Sequence, residues 1–433
     1  MNATFHCACG LAALLPVLIA VACCGGAPRG DKAAAPRTVA VAQSGQADVL
    51  GSDSKALQQA ADMLKPGDTL SIGPGTYLME NALYIRVSDV VVRGAAGGKT
   101  ILFKGPGVKS LLVDDAGYGI SDLAVAEPEK FKVGMGVSVL DNNNQDGWAV
   151  SVTTVAAIDG DTLRIDPMTL RDYDIETGEG WVQNTFPILA GIDVSGVTFE
   201  DIVVDGNRGE NFYMNGCRGG AIYLYLAKDC LIKNCVARNF NGDGISFQIT
   251  ERVKVLGCET YGMSGLGLHP GTGSPYAEIR DCHTHDNDQD GLFLCWRVKH
   301  GVFADNLIEN NHRHGISVGH KDSDNLFTGN TVRGNRVHGV YFRSETYKNS
   351  GHRCVFRGNT VMDNGSAGEG CGFYLEPFAE GIVIENNKIA DTRSGAERTQ
   401  RYGVYRARGA GKVALTGNEI QGNIEGDYLD ENK

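Results

Sequence analysis

Short runs in which apolar and polar residues alternate recur along the second half of the chain, and each run follows a glycine. These glycines are Gly220, Gly244, Gly265, Gly291, Gly315, Gly339, Gly372 and Gly403. Because successive side chains of a strand point to opposite faces, each run predicts a short strand with one buried face.

A second repeated phrase lies between these runs and keeps step with them. Its fixed position holds Cys235, Cys258, Cys282, Asn306, Asn330, Asn359, Asn387 and Asn418. Two phrases in step indicate a structural repeat, and the absence of a helical period favours a parallel solenoid with coils about 4.8 Å apart. Stacked asparagines can satisfy their own amides at a bend. The cysteines are interpreted as small buried residues, with a disulfide as the alternative.

The start of the repeat region contains an amphipathic segment, residues 56–64, whose apolar face is formed by Leu57, Ala60, Ala61 and Leu64. This segment predicts a helix that caps the open end of the stack. The phrases "KPGDT" and "GPGTY" follow it as turns into strands. With these features, residues 52–425 resemble the right-handed parallel β-helix proteins of the pectin lyase-like superfamily. The resemblance implies an all-β solenoid and leaves the substrate open.

Residues 128–186 interrupt the repeat with longer alternating runs and a hairpin turn at Asp159–Thr162. We expect an inserted antiparallel side-domain there, either as one wall of a cleft or without a site. Residues 1–22 are interpreted as a signal peptide, because their apolar run is too short to span a bilayer. Residues 23–50 have the small, proline-containing composition of a flexible linker. Residues 51–433 form the β-helix domain.

The junction after residue 22 resembles a bacterial lipoprotein processing site, at which Cys23 would be lipidated. Simple secretion is the alternative, and both place the protein outside the cytoplasm or in the cell envelope. The net charge of -12, without a basic stripe, argues against a nucleic-acid partner. We expect a monomer that binds a polysaccharide or oligosaccharide.

The outward positions of the glycine-led strands predict columns of side chains along the stack. The column directly before the glycine holds Asp243, Ser264, Asp290, His314 and His338. Two further columns contain Tyr223 and Tyr341 at their aromatic ends and His269 and Arg343 nearer the middle. Ionisable residues flanked by aromatic rings are typical of an elongated saccharide groove, although a solvated wall is the alternative.

These columns suggest a lyase or C5-epimerase acting on an acidic polysaccharide. We predict that Asp290 orients or tunes His314 on the next coil. The base would be His314 or His269, and the cation that neutralises a uronate carboxylate would be Arg343, Arg297, Lys321 or calcium. The predicted substrate-binding residues are Asp243, Trp296, Arg297, His320 and Tyr341.

Two other functions stay open from the sequence. "RHGISVG" and "NGDGIS" are similar to a polygalacturonase strand, which would imply an inverting hydrolase, yet Asp243 and Asp290 lie two predicted coils apart. A non-catalytic glycan-binding or structural surface protein is the third alternative. "DNDQDG" matches half of a calcium-hand loop, but its twelfth position is Arg297. We assign no metal-ligand set, while a surface calcium on Asp286 and Asp288, or on Asp322 and Asp324, stays open.

Overall fold

The computed structural model describes residues 35–366 and 369–433. The predicted signal peptide, Cys23 and the first part of the predicted linker lie outside the described residues. The chain from Pro36 onwards winds into coils whose strands stack in register into three parallel sheets, with a fourth, antiparallel sheet beside them. No helix within the described ranges is long and apolar enough to cross a membrane.

Sheet 1 contains 13 strands. In stacking order they are Val49–Leu50, Thr38–Ala42, Thr69–Ile72, Val91–Arg93, Thr198–Glu200, Leu231–Lys233, Lys254–Leu256, Glu278–Arg280, Val302–Ala304, Leu326–Thr328, Val355–Arg357, Ile382–Glu385 and Val413–Thr416.

Sheet 2 contains 11 strands, which follow sheet 1 within each coil. They are Gly75–Met79, Thr100–Lys104, Val203–Asp205, Val236–Arg238, Glu259–Tyr261, His283–His285, Leu307–Glu309, Thr331–Arg333, Thr360–Met362, Lys388–Ala390 and Glu419–Gln421.

Sheet 3 also contains 11 strands and includes the glycine-led runs of the sequence. They are Leu83–Ile85, Leu189–Ile192, Ile222–Tyr225, Ile245–Gln248, Leu268–Pro270, Leu292–Phe293, Ile316–Val318, Val340–Phe342, Gly370–Leu375, Gln400–Arg406 and Gly426–Asp430. The predicted inward positions Leu292 and Leu294 are fully buried, which confirms the alternation expected for that strand.

The first coils are capped by the helix Ser54–Ala61, as the amphipathic pattern predicted. Asp53 caps its N-terminus, since its carboxylate accepts the Ala56 N–H at 2.9 Å. Leu57 and Ala60 are fully buried on the face that covers the stack. Five single-turn 3₁₀ helices lie elsewhere in the described residues, at Pro128–Lys130, Gly147–Ala149, Arg208–Glu210, Tyr347–Asn349 and Gly395–Glu397.

The predicted flexible linker extends too far towards the domain. Residues Thr38–Ala42 pair in parallel with Thr69–Ile72, and Val39 and Val41 are buried in the core. The alternation in "TVAVA" is only five residues long and follows a proline-containing stretch, so it was interpreted as linker. The solenoid therefore begins before residue 51.

The antiparallel sheet, here called the side sheet, corresponds to the predicted insertion but starts earlier than residue 128. Its strands are Lys109–Leu111, Trp181–Gln183, Gly136–Leu140, Ser151–Asp159, Thr162–Asp166 and Asp122–Ala124. It has its own core, in which Val137, Val155 and Tyr173 are fully buried. The two short strands before residue 128 carry too few alternating residues to stand out in the sequence.

The predicted asparagine column forms a continuous ladder at the corner between sheets 1 and 2. Each side-chain amide donates to a backbone carbonyl and, except at the last position, to the next asparagine; Asn330, for example, donates to Asn359 and to the Phe303 carbonyl, each at 2.9 Å. We call Asn306, Asn330, Asn359, Asn387 and Asn418 the first asparagine ladder. The cysteines that continue this column, Cys235, Cys258 and Cys282, are buried free thiols rather than a disulfide.

A second asparagine ladder, which the sequence interpretation did not identify, follows the sheet 2 strands. It consists of Asn287, Asn311, Asn335 and Asn364, and their side chains are joined by amide hydrogen bonds of 2.9 to 3.0 Å. Both ladders lie inside the wall, where every buried amide needs a partner. They therefore fix the register of successive coils.

Candidate functional site

The outer face of sheet 3 differs in one coil from the predicted columns. Ser246 pairs with His269, and Leu268 pairs with Leu292, so Gly267 rather than Gly265 is equivalent to Gly244 and Gly291. The phrase "GLGLH" contains two glycines two residues apart, and either one fits the alternating pattern. The observed register moves His269 into the first outward column, beside Ser246.

A cleft of about 380 Å³ opens over this part of sheet 3, and we call it the central cleft. The groups that could take part in chemistry there are Tyr213, Asp243, His269, Gln289 and Arg313. The sequence placed Asp243 and His269 in separate columns without a contact between them. The structure brings these two side chains together at the floor.

Asp243 and His269 form a buried pair in which the carboxylate Oδ2 lies 2.7 Å from the imidazole Nδ1. The other carboxylate oxygen of Asp243 accepts the Leu266 N–H at 2.9 Å. Asp243 thus holds the Nδ1 proton, which leaves Nε2 as the working nitrogen. Within the described part of the chain, this Nε2 has no hydrogen-bond partner.

The surroundings of His269 favour a bound proton. Burial lowers the pKa of His269, but the hydrogen bond to the Asp243 carboxylate and the neighbouring Cys295 thiol outweigh that effect and raise the pKa to about 9. An imidazole with a raised pKa that still exchanges protons near neutral pH suits acid–base chemistry.

Two glycines make room for the pair. A Cβ atom on Gly216 would overlap Asp243 and come within 2.7 Å of the His269 ring, and one on Gly265 would overlap the other oxygen of Asp243. The backbone on both sides therefore approaches the carboxylate more closely than any larger residue would permit. This close packing holds Asp243 in one position.

Arg313 and Tyr213 line the central cleft, and neither was singled out from the sequence. About half of each side chain is exposed. The Arg313 Nε lies 3.9 Å from Asp290, and its Nη1 donates to the Gln289 amide oxygen at 3.3 Å. Arg313 stands one residue before His314, in a phrase whose histidines, lysine and aspartates gave the stronger signal. Tyr213 lies in a loop outside the repeated columns.

Arg343 lies under the central cleft rather than in it. Its guanidinium covers the face of Phe293 at 4.2 Å and donates to the Ser317 hydroxyl and the Leu294 carbonyl. It also pairs at 3.2 Å with Asp322, whose pKa burial raises to about 7 although Arg343 opposes that shift. These contacts favour a supporting role for Arg343 and occupy the charge that was predicted to neutralise a substrate.

A second cleft of about 340 Å³ lies further along sheet 3, and Arg313 borders it too. Its wall is a stack of rings: His314 lies 4.3 Å from Tyr341 and 5.1 Å from His338, which in turn lies 4.6 Å from Tyr374. Burial, with the charges of neighbouring residues, lowers the pKa of His314 to about 2, so the ring is neutral. Tyr341 lines this cleft, and its predicted role in binding a sugar ring stays a prediction.

The predicted contact between Asp290 and the His314 imidazole is wrong. The fully buried Asp290 carboxylate accepts the backbone N–H of His314 at 2.9 Å and does not reach the ring. A short side chain at the start of a strand meets the backbone of the next coil first. Burial raises the pKa of Asp290 to about 6.

Four other predicted residues lie in turns after the sheet 3 strands and line neither cleft: Trp296, Arg297, His320 and Lys321. Trp296 packs against His320 with ring centroids 5.1 Å apart, and His320 also pairs with Glu345 at 2.7 Å. These turns have positive backbone φ angles, which bend the chain away from the sheet face.

The aspartates considered for calcium have other partners in the structure. Asp286 contacts His285, Asp288 pairs with Arg208, Asp322 pairs with Arg343, and Asp324 pairs with Arg353. The calcium alternatives therefore gain no support from this geometry.

The side sheet forms one wall of a third cleft, of about 350 Å³, against the first strands of sheet 3. We call it the arginine cleft. Arg86 covers Tyr84 at 4.7 Å, and Arg218 lies 5.7 Å from Trp148. Neither arginine forms a salt bridge with a carboxylate of the described residues, so both charges are available to an anionic ligand.

Comparison with known proteins agrees with this architecture. A family model described as "Right handed beta helix region" matches residues 190–350, which contain the central cleft. The chain has the right-handed parallel β-helix fold. Its solved structural neighbours include the A-modules of mannuronan C-5 epimerases AlgE6 and AlgE4 of Azotobacter vinelandii. Their TM-scores are 0.54 and 0.52 at 15% and 14% identity, over 88% and 87% of this chain and 92% and 93% of theirs.

The β-helix protein is also similar in sequence to a curated relative, mannuronan C5-epimerase AlgE1 of Azotobacter vinelandii. The two are 29% identical over 148 residues, which are 33% of this chain and 9% of the relative. The similarity thus spans a small part of that longer protein. At the identities of the structural matches, the likeness establishes the fold, and the chemistry has to be argued from the clefts.

Proposed function

We propose that this protein is an enzyme that inverts C5 of uronate residues in an acidic polysaccharide. The observation that carries the proposal is the buried Asp243–His269 pair at the floor of the central cleft. Arg313 on the same cleft and the sequence similarity to a mannuronan C5-epimerase support it.

The reaction needs a cation, a base and an acid. A uronate C5 proton becomes removable when a positive group neutralises the adjacent carboxylate, and Arg313 offers that charge. In the unprotonated fraction of the pair, His269 Nε2 accepts the C5 proton while Asp243 stabilises the resulting imidazolium. Tyr213, which lines the same cleft, would donate its phenolic proton to the other face of the carbanion. To complete the cycle, His269 would release its proton to solvent and the Tyr213 phenolate would take one up.

Two alternatives use the same groove. β-Elimination would start from the same carbanion but expel the 4-linked sugar, leaving an unsaturated uronate. Hydrolysis would need two carboxylates that reach the glycosidic bond, yet Asp290 is fully buried and Asp243 is bound to His269. Epimerisation is therefore preferred over hydrolysis. The same experiment distinguishes epimerisation from β-elimination.

The decisive experiment incubates the purified protein with polymannuronate, polyguluronate and polygalacturonate in D₂O. Epimerisation predicts deuterium at C5 by proton NMR, a changed ratio of the two uronates and no new chain ends. Unsaturated uronate would assign the protein to the lyases, and new reducing ends without it would assign it to the hydrolases. Saturable binding of these polymers without any of the three products would make it a glycan-binding protein.

The site of action is a separate proposal. We infer from the N-terminal sequence that the protein is exported and that Cys23 carries a lipid anchor, so that the β-helix would meet its substrate outside the cytoplasm. Cys23→Ser should then move the protein from the membrane fraction to the soluble fraction. Unchanged fractionation would argue for simple secretion or another tether.

A further inference from the structure

Outside sheet 3, two histidines and two glutamates face one another on sheet 2. His283 and His285 lie two residues apart on one strand, so both side chains emerge on the same face. Glu259 is the direct strand partner of His283, and Glu309 is the direct partner of His285. The two imidazole rings stack with centroids 4.0 Å apart. We call these four residues the sheet 2 histidine cluster.

The outer nitrogen of each imidazole is held by a carboxylate. His285 Nδ1 lies 2.6 Å from Asp286, and His283 Nε2 lies 2.9 Å from Glu309. Arg333 holds Glu309 in turn at 2.7 Å. A carboxylate beside a ring nitrogen takes a hydrogen bond from its N–H, and in the neutral ring the other nitrogen then presents its lone pair.

The inner nitrogens converge on a third carboxylate. His285 Nε2 lies 3.3 Å and His283 Nδ1 3.8 Å from the same Glu259 oxygen, and all three atoms lie within 4.8 Å of one another. In the described part of the chain, Glu259 forms no salt bridge with lysine or arginine. Two lone pairs and an anionic oxygen that point at one another need a positive centre between them.

We propose that this centre is a divalent first-row transition ion of the Zn²⁺ type, bound by Glu259, His283 and His285. Zinc binds nitrogen and oxygen ligands at about 2.0–2.2 Å in a tetrahedron, which sets ligand atoms about 3.3 Å apart. The distances of 3.3 and 3.8 Å from Glu259 to the two ring nitrogens approach that value. A small rotation of the side chains would bring all three ligand atoms to the tetrahedral spacing. In metal sites of proteins, a carboxylate commonly accepts the N–H of a metal-bound histidine and so orients the ring. Asp286 and Glu309 are placed to do this for His285 and His283.

The class of ion follows from the donor set. Two imidazoles and one carboxylate suit zinc and its neighbours, whereas calcium and magnesium prefer oxygen ligands alone. The competing explanation is a proton shared between the rings and Glu259. The site lies on sheet 2, away from the sheet 3 strands that carry the central cleft, and it does not depend on the proposed epimerase activity.

The test titrates Zn²⁺ alone into the full chain, first stripped with a chelator, at pH 7.5 by isothermal calorimetry. We expect one saturable site, whose affinity falls by at least about a hundredfold in His283→Gln and in His285→Gln. His300→Gln is the matched control, because His300 is an exposed histidine that stacks on Tyr276 at 5.4 Å and has no carboxylate partner among the described residues. Half-buried thiols such as Cys295 can also bind Zn²⁺. The double variant His283→Gln/His285→Gln measures this background binding.

A second variant separates metal binding from a structural contact. Asp286→Asn should weaken Zn²⁺ binding by about tenfold, since losing an outer carboxylate commonly costs 10–100-fold in affinity. Co²⁺ in place of Zn²⁺ should give visible absorption bands that the double variant His283→Gln/His285→Gln loses. Circular dichroism melts check that each variant folds, and Glu259→Gln replaces any that does not. Equal Zn²⁺ binding by wild type and double variant, or no saturable site in the wild type, would overturn the proposal.

Discussion

The asparagine ladders and the centre of sheet 3 are both columns of buried polar side chains, yet they are satisfied to different degrees. In the first ladder, Asn330 uses both amide hydrogens and both lone pairs of its oxygen. In sheet 3, His269 Nε2, Asp290 Oδ2 and His314 Nδ1 are buried without a partner in the described residues. Burying an unpaired polar atom costs about 1–3 kcal/mol, so such atoms persist where another requirement maintains them.

The contrast separates structural columns from functional ones. A ladder whose every group is paired stabilises the stack and has nothing left to offer a ligand. A column with unpaired donors and acceptors stabilises the stack less than such a ladder does, but its free polar atoms can bind a ligand. Four predictions test this contrast, beginning with the largest effect.

His269→Gln should reduce turnover by about 10²–10⁴-fold, because a positioned acid or base contributes that much and an amide does not titrate. Initial rates of C5 deuterium incorporation on the best substrate measure the loss. His352→Gln, which changes a histidine outside sheet 3, serves as the control and should turn over normally. A near-normal rate in His269→Gln would move the chemistry away from the central cleft.

Asn330→Ala should lower the free energy of unfolding by about 3 kcal/mol, since it leaves the groups that bonded to its side chain unpaired. Turnover per folded molecule should stay unchanged. Chemical denaturation measures the loss, and Asn142→Ala is the matched control, because Asn142 is exposed in the loop after the strand Gly136–Leu140. A change as small as that of the control would show that the ladder is not what stabilises the stack.

The contribution of His269 to the stability of the wild type should decline by on the order of 2 kcal/mol between about pH 6.5 and pH 9. The folded pKa of His269 is raised to about 9 from an unfolded value near 6.5. The stabilisation by the Asp243–His269 pair is therefore complete below pH 6.5 and is lost as the pH rises through 9. Denaturation across this range measures it, and in His269→Gln the decline should disappear. An equally steep decline in the variant would assign it to other groups.

Asp290→Asn should raise stability at pH 7 by about 1 kcal/mol. Burial raises the folded pKa of Asp290 to about 6 from about 3.8, so its contribution is present below pH 3.8 and is lost as the pH rises through 6. An uncharged amide avoids that loss, and the gain should vanish at pH 3.5. Thermal melts at both pH values compare the variant with the wild type. A destabilised variant at pH 7 would mean that the charge of Asp290 stabilises the fold, for example through Arg313.

Much of the fold was predictable because the same pattern of buried and exposed positions recurs in every coil. The column that includes Asn306 and Asn330 and the burial of Leu292 and Leu294 followed from periodicity alone. The site was harder to predict from the sequence, because one coil contains two glycines that both fit the repeat. Aligning the coil on Gly265 instead of Gly267 placed His269 in the wrong column.

Residues outside the columns were missed for a different physical reason. Tyr213 reaches the central cleft from a loop that does not follow the sequence repeat. The Asp243–His269 contact depends on the close approach of the backbone at Gly216 and Gly265. His283 and His285 were visible as alternating histidines in a strand phrase. Their importance emerges only when Glu259 on the preceding coil is placed beside them.

The arginine cleft and the second cleft lie at different heights along the same sheet, and their charges differ. Arg86, Arg218 and Asp166 line the first, while two arginines and two glutamates line the second: Arg313, Arg401, Glu369 and Glu376. A polyanion laid along sheet 3 would meet attraction near the start of the solenoid and mixed charge further on. The surface thus has an electrical polarity along the solenoid, which would draw an anionic ligand towards its first coils.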